Sequence, residues 1–133
     1  MEKYIYKGKK CHSFSFETPE EGFQNLKTDC IQEYGESLIK EDGSSGHNYY
    51  VFDAGGRSLH KCKECGALFL IQNSVFHGEE DSFYVDWYQV GSREEADYLN
   101  THYNGFALEK NYCGPYYKIT NGKVTWRKEK GTE

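Results

Sequence analysis

The sequence predicts an α+β domain, an antiparallel sheet built from hairpins with two helices packed against it. Three observations predict it. Short alternating or apolar runs recur between turn signals, most clearly Tyr116–Thr120, Asn121-Gly122, Lys123–Arg127. Two segments open with complete helix-start signals, at Thr18-Pro19-Glu20-Glu21 and Ser92-Arg93-Glu94-Glu95. A Cys62-Lys63-Glu64-Cys65-Gly66 knuckle is followed at once by the apolar run Ala67–Ile71, which places it between two strands.

The elements follow in order. Tyr4-Ile5-Tyr6, a turn at Lys7-Gly8-Lys9 and the alternating Ser13–Phe16 predict an opening hairpin. Thr18 is a cap, Pro19 suits the first helical position and Glu21 completes a capping box. Apolar residues at Phe23, Leu26, Cys30, Ile31, Tyr34 and Leu38 carry that helix towards Asp42-Gly43, with Cys30 in its core stripe. Tyr49–Phe52, a turn at Asp53–Gly56 and Arg57–His60 predict a second hairpin. After the knuckle, Ala67–Gln72 predicts a central strand, and Phe83–Val90 a further one. On that last strand Phe83, Val85 and Trp87 share one face, Tyr84, Asp86 and Tyr88 the other. Ser92 and Glu95 box the second helix, Ala96, Leu99 and Tyr103 form its stripe, and Gly105 is its expected end. Asn121-Gly122 is a favoured two-residue hairpin turn.

A length of 133 residues suits a single domain spanning 1–133. The N-terminal residues lack the apolar stretch of a signal peptide and no run is long enough to span a bilayer, so a cytoplasmic location is the expectation. Five cysteines, an odd number outside a secretory context, then read as thiols or metal ligands. The net charge of −5 is unevenly spread. Residues 17–42 and 79–97 each carry −6, and residues 1–10 and 118–133 each carry +3. Short terminal basic segments disfavour nucleic acid as a partner.

Cys62 and Cys65 are the candidate metal ligands. In a C-x2-C turn the chain reverses tightly enough for both thiolates to face one cation, and Gly66 supplies the permissive backbone. A structural zinc needs four ligands. The remaining candidates are Cys11, His12, His77 and Cys113, with His60 beside them, while Cys30 is better explained as core and His102 as a surface or boundary residue. A redox role fits less well, because redox C-x-x-C pairs open a helix and here a strand follows. His77-Gly78-Glu79 has the H-x-E form of zinc deaminases, but the order of the motifs is reversed and no proline precedes Cys62. No nucleophile elbow, phosphate-binding glycine loop or calcium loop occurs, so no catalytic set is expected.

Residues 60–71 resemble one knuckle of a zinc ribbon. The stretch Cys62–Gly105, with Cys-Lys-Glu-Cys-Gly-Ala-Leu-Phe-Leu, an acidic loop, Tyr-Val-Asp-Trp-Tyr and Ser-Arg-Glu-Glu-Ala-Asp-Tyr-Leu-Asn, resembles small bacterial immunity proteins of polymorphic toxin systems. That resemblance implies a protein-binding module that neutralises a cognate, basic toxin domain. The acidic, tyrosine-rich patch Glu79, Glu80, Asp81, Tyr84, Asp86 and Tyr88 is the expected contact surface. The alternative is a zinc-knuckle enzyme or nucleic-acid adaptor.

Overall fold

The computed structural model describes residues 3–36, 52–76, 82–103 and 105–127. In chain order the elements are β1 (Tyr4–Ile5), a 3-10 turn (His12–Ser15), α1 (Pro19–Gln24), β2 (Thr28–Glu36), β3 (Phe52–Cys62), β4 (Leu68–Phe76), β5 (Ser82–Val90), α2 (Arg93–His102), α3 (Gly105–Asn111), β6 (Tyr112–Cys113), β7 (Tyr116–Thr120) and β8 (Lys123–Arg127). Six strands form one antiparallel sheet in the order β2-β3-β4-β5-β7-β8, while β1 and β6 pair parallel as a separate ribbon. The class is α+β. No helix among the described residues is long and apolar enough to cross a membrane.

The sheet is covered on both faces, and its period-2 alternation sorts side chains between two cores. One register row runs Ser58, Ile71, Trp87, Tyr117, Trp126, and the neighbouring row runs Arg57, Gln72, Asp86, Lys118, Thr125. The first row faces the N-terminal segment. There Phe14 stacks on Tyr117 with centroids 4.8 Å apart, and Phe23 meets Trp87 edge-on at 5.1 Å. Leu26, Phe69, Ile71, Cys11 and Cys62 complete this core. The second row lies on the α2–α3 face, where Leu59, Leu70, Tyr88 and Val90 pack with Ala96, Leu99, Tyr103 and Leu108. Each fully buried Leu there is worth about 2 kcal/mol by area.

Several sequence signals act as expected. Thr18 Oγ1 accepts from the Glu21 amide at 3.2 Å, and Ser92 Oγ from the Glu95 amide at 3.1 Å, so both helices start where the capping residues place them. Asn121 and Gly122 both have positive φ, 50° and 86°, as the tight β7–β8 turn demands. The knuckle does join two strands, β3 and β4.

Other expectations are corrected. The opening hairpin does not form: β1 pairs with β6, and residues 12–15 curl into the 3-10 turn, because Ser13 and Phe14 are both buried against the sheet instead of alternating. The first helix ends at Gln24, and Thr28–Glu36 is instead an edge strand paired with β3. Cys30 is consequently exposed, not core. Pairing along β3 outweighs a helical spacing of apolar residues that a strand also tolerates. Asp53–Gly56 is no turn but part of β3, whose register slips between Ala54 and Arg57 at the paired glycines. Gly105 opens α3, an element the sequence reading lacks, instead of ending α2. Tyr49 and Tyr50 lie outside the described residues.

Candidate metal centre

The knuckle is built by the backbone. The Cys62 amide donates to the Ala67 carbonyl at 2.7 Å, and the Gly66 amide donates back to the Cys62 carbonyl at 3.0 Å. Gly66 sits at φ +80°, a conformation that a side chain disfavours, so the glycine after the second cysteine is what lets the chain reverse. The Lys63 amide donates to the Lys27 carbonyl at 2.8 Å, which ties the knuckle to the segment leading into β2.

The second half of the centre comes from the N-terminal segment. Cys11 and His12 stand at the start of the 3-10 turn, held down by Phe14 in the core behind them. The buried amide of Gln89, on β5, fixes this segment: its Oε1 accepts from the Cys11 amide at 3.0 Å, and its Nε2 donates to the Tyr6 hydroxyl and the Lys9 carbonyl at 2.9 and 3.0 Å. The Tyr6 amide also donates to the Cys113 carbonyl at 2.9 Å, continuing the β1–β6 ribbon.

Together these elements place one ligand atom each from Cys11, His12, Cys62 and Cys65 within 4.8 Å of one another. The Nδ1 of His12 lies 3.8 Å from Cys11 Sγ and 3.7 Å from Cys62 Sγ, and Cys65 Sγ lies 3.5 Å from Cys11 Sγ. A tetrahedral zinc with bonds of about 2.3 Å to sulfur and about 2.0 Å to nitrogen would set S···S edges of about 3.8 Å and S···N edges of about 3.5 Å. The two S···N distances from His12 and the Cys11–Cys65 distance lie close to those values. The far nitrogen of His12 is also engaged: Nε2 lies 3.1 Å from a Glu64 carboxylate oxygen and 3.3 Å from the Asn25 carbonyl. Acceptors at Nε2 keep the proton there and leave the Nδ1 lone pair facing the thiols, the outer-shell arrangement typical of metal-bound histidine.

The thiols differ. Burial pushes Cys11 up to about 12. Burial acts in the same direction on Cys65, but the amides of His12 and Ala67 and the neighbouring thiols of Cys11 and Cys62 outweigh it and hold that thiol below its ordinary value. Two buried thiols, Cys11 and Cys62, therefore face an imidazole lone pair and a third, thiolate-prone sulfur. Such a donor set suits a divalent cation. With no disulfide among the five cysteines, all three thiols are available as ligands, and the cluster is compatible with a metal such as zinc.

The remaining candidates sit apart. Cys113 is buried in β6 opposite Ile5. His60 bonds Thr28 Oγ1 at 3.0 Å and packs against Trp87. His102 is an exposed α2 residue stacked on Tyr98. His77, Glu79, Glu80 and Asp81 lie outside the described residues. Asp86 and Tyr88, expected on a partner-binding surface, are 2% and 0% exposed beneath α2 and α3, and Tyr84 is half-buried. The alternation along β5 is right, but both faces of the sheet are covered. Sequence reasoning missed Gln89, Glu64 and Asn25 as supports of the centre. Only Gln89 carried a signal, as an amide on the strand face that otherwise holds Val85 and Trp87.

No known protein family, curated protein or solved structure matches the chain.

Proposed function

We propose that this chain is a zinc-stabilised protein-binding module. One observation carries the zinc half of the reading: four donor atoms from segments about fifty residues apart lie within 4.8 Å of one another, with the histidine's outer nitrogen already partnered. Thiolate and imidazole ligands suit zinc, and a set of four protein ligands is a closed, structural site with no position for a reacting water. The ion would fasten the N-terminal segment, and with it Phe14 and Phe23, onto the sheet. Elemental analysis of protein purified without added zinc tests this, with about one zinc per chain expected and none in Cys62→Ser. Metal-free protein whose melting is unchanged by chelator would overturn it.

The binding half follows the resemblance to immunity proteins, with its contact surface moved. The β5 face is covered by α2, and α2 itself presents Tyr98, 51% exposed, among the exposed acids Glu94, Glu95 and Asp97. An exposed aromatic anchor on a helix that carries three exposed acids suits a basic protein surface such as a toxin domain. Co-expression with the toxin-like product of a neighbouring gene is the test. Protection that Tyr98→Ala weakens by roughly tenfold or more in affinity is expected, and no protection by the parent chain would sink the reading.

A further inference from the structure

The four thiol and imidazole groups are not equally sheltered. Cys11 and Cys62 are each 2% exposed, whereas Cys65 is exposed. A cleft of about 390 Å³, lined by Tyr6, Lys9, Lys10, His12, Gly66 and Gln89, opens onto Cys65. A small molecule can therefore reach this one sulfur from solvent while the other two stay covered. The sulfur of Cys11 lies 3.5 Å away and comes from a separate segment of chain, whereas Cys62, also within 4.8 Å, is tied to Cys65 by the tight knuckle itself. Cys30 is exposed on β2, where its sulfur donates to the Gln32 carbonyl, and Cys113 is buried in β6 outside the four-residue cluster, so neither competes as a resolving thiol.

We propose that Cys65 is an oxidation site: a peroxide-class oxidant oxidises its sulfur, and Cys11 closes a disulfide with it that expels the metal. The proposal rests on the zinc reading for its last step. In the first step the Cys65 thiolate attacks one oxygen of hydrogen peroxide, the O–O bond breaks, hydroxide leaves, and Cys65 becomes a sulfenic acid. The Cys11 thiolate then attacks the sulfenic sulfur, the S–S bond forms, and the S–O bond breaks with loss of a second hydroxide. Both hydroxides take up protons from solvent. Overall the two thiolates lose two electrons and the peroxide gains them, ending as two waters. Zinc is left with Cys62 and His12, half of its ligands, and dissociates. The N-terminal segment meanwhile stays tied to the knuckle, by a covalent bond in place of the ion, and a thiol reductant with zinc restores the starting state. The centre would thus report oxidant without the sheet losing its cover.

The test uses the full chain, with zinc content measured first and hydrogen peroxide then added in stoichiometric amounts. Released zinc is followed with a chromophoric chelator, free thiols are counted, and disulfides are mapped by mass spectrometry. The expected result is release of about one zinc per chain, loss of two thiols and a Cys11–Cys65 cross-linked peptide, all reversed by dithiothreitol plus zinc. The double variant Cys30→Ser/Cys113→Ser keeps all four ligands and should behave identically. A Cys62–Cys65 cross-link, or zinc retained with Cys65 as a sulfinic acid, would overturn the proposal. Protein that arrives without zinc yet forms the Cys11–Cys65 bond would support the oxidation site and count against the zinc reading. Stoichiometric zinc with no cross-link would do the reverse.

Discussion

The Nδ1 of His12 lies 3.7 Å from the Sγ of Cys62, fifty residues further along the chain. That contact joins the N-terminal segment to the β3–β4 knuckle, and it makes the stability of the core around Phe14 and Phe69 depend on what occupies the space between the two atoms. Metal removal should therefore act locally. With free zinc a thousandfold above its dissociation constant, binding to the folded state alone adds about 4 kcal/mol. Chelation should remove that stability and raise amide hydrogen exchange over residues 6–24, while α2, packed on the opposite face, keeps its protection. Equal loss of protection on both faces would argue that the centre does not fasten the N-terminal segment.

Gln89 should matter as much as a ligand without touching the ion. Its side-chain amide answers the Cys11 amide, the Lys9 carbonyl and the Tyr6 hydroxyl at once, and it is 1% exposed. Gln89→Leu fills the same space but leaves the Cys11 amide without its acceptor, at about 1–3 kcal/mol if no water reaches it, while the Tyr6 hydroxyl keeps its bond to the Lys9 carbonyl. Zinc affinity should fall by about 10–100-fold, the usual cost of losing an outer-shell support. Gln89→Glu keeps the acceptor for Cys11 and loses the donor, so it should fall between. Competition titration against a chelator of known affinity measures both, and unchanged affinity in Gln89→Leu would remove Gln89 from the account.

How much of this was legible in the sequence depends on whether the deciding contact is local. Cys62, Cys65 and Gly66 announce a reversal through spacing alone, and the Asn121-Gly122 turn does the same. Cys11 and His12 stood among the candidates, but nothing separated them from Cys113. That distinction is made by Phe14 entering the core and by Gln89 holding the Cys11 amide, both long-range contacts. The helix expected through Cys30 shows the same limit: Thr18 and Pro19 mark where α1 starts, but it ends early because Thr28–Glu36 finds a partner in β3. On β5 the alternation of Trp87 and Tyr88 was readable, while the covering of Tyr88 depends on α2 and on α3, whose start at Gly105 reads locally as a helix end.

Gly66→Ala separates backbone strain from ligation. A Cβ at this position would come no closer than 3.8 Å to its nearest neighbour, the Lys61 side chain, so there is room for it. The cost is the positive φ of +80°, about 1–2 kcal/mol for an L-residue. The variant should bind zinc with full stoichiometry, melt a few degrees lower and show weaker affinity, whereas Cys65→Ser should lose the ion. Thermal unfolding beside elemental analysis distinguishes them, and loss of metal in Gly66→Ala would mean that the knuckle cannot absorb even this strain.

On the other face of the sheet, Asp86 gives the protein a pH dependence of its own. Its carboxylate is buried, 3.5 Å from Lys118 Nζ, while Lys118 makes a closer pair with Glu109 at 2.7 Å. Burial raises the Asp86 pKa to about 6, and the attraction of Lys118 only partly offsets that. The sign follows from linkage: between about 4, where the unfolded chain titrates, and about 6, the folded state binds the proton more tightly, so stability falls as pH rises. At about 1.4 kcal/mol for each pKa unit, the loss by neutral pH is on the order of 2–3 kcal/mol. Zinc ligation works in the opposite direction, because acid protonates thiolates and releases the ion, so the two are best separated by a difference between variants. Asp86→Asn copies the protonated carboxyl and leaves Lys118 its Glu109 partner. It should match the parent near pH 4 and be the more stable protein above pH 6, in urea unfolding with the metal content of both proteins held equal. A stability difference that does not change with pH would show that Asp86 is ionised throughout and held by Lys118 after all.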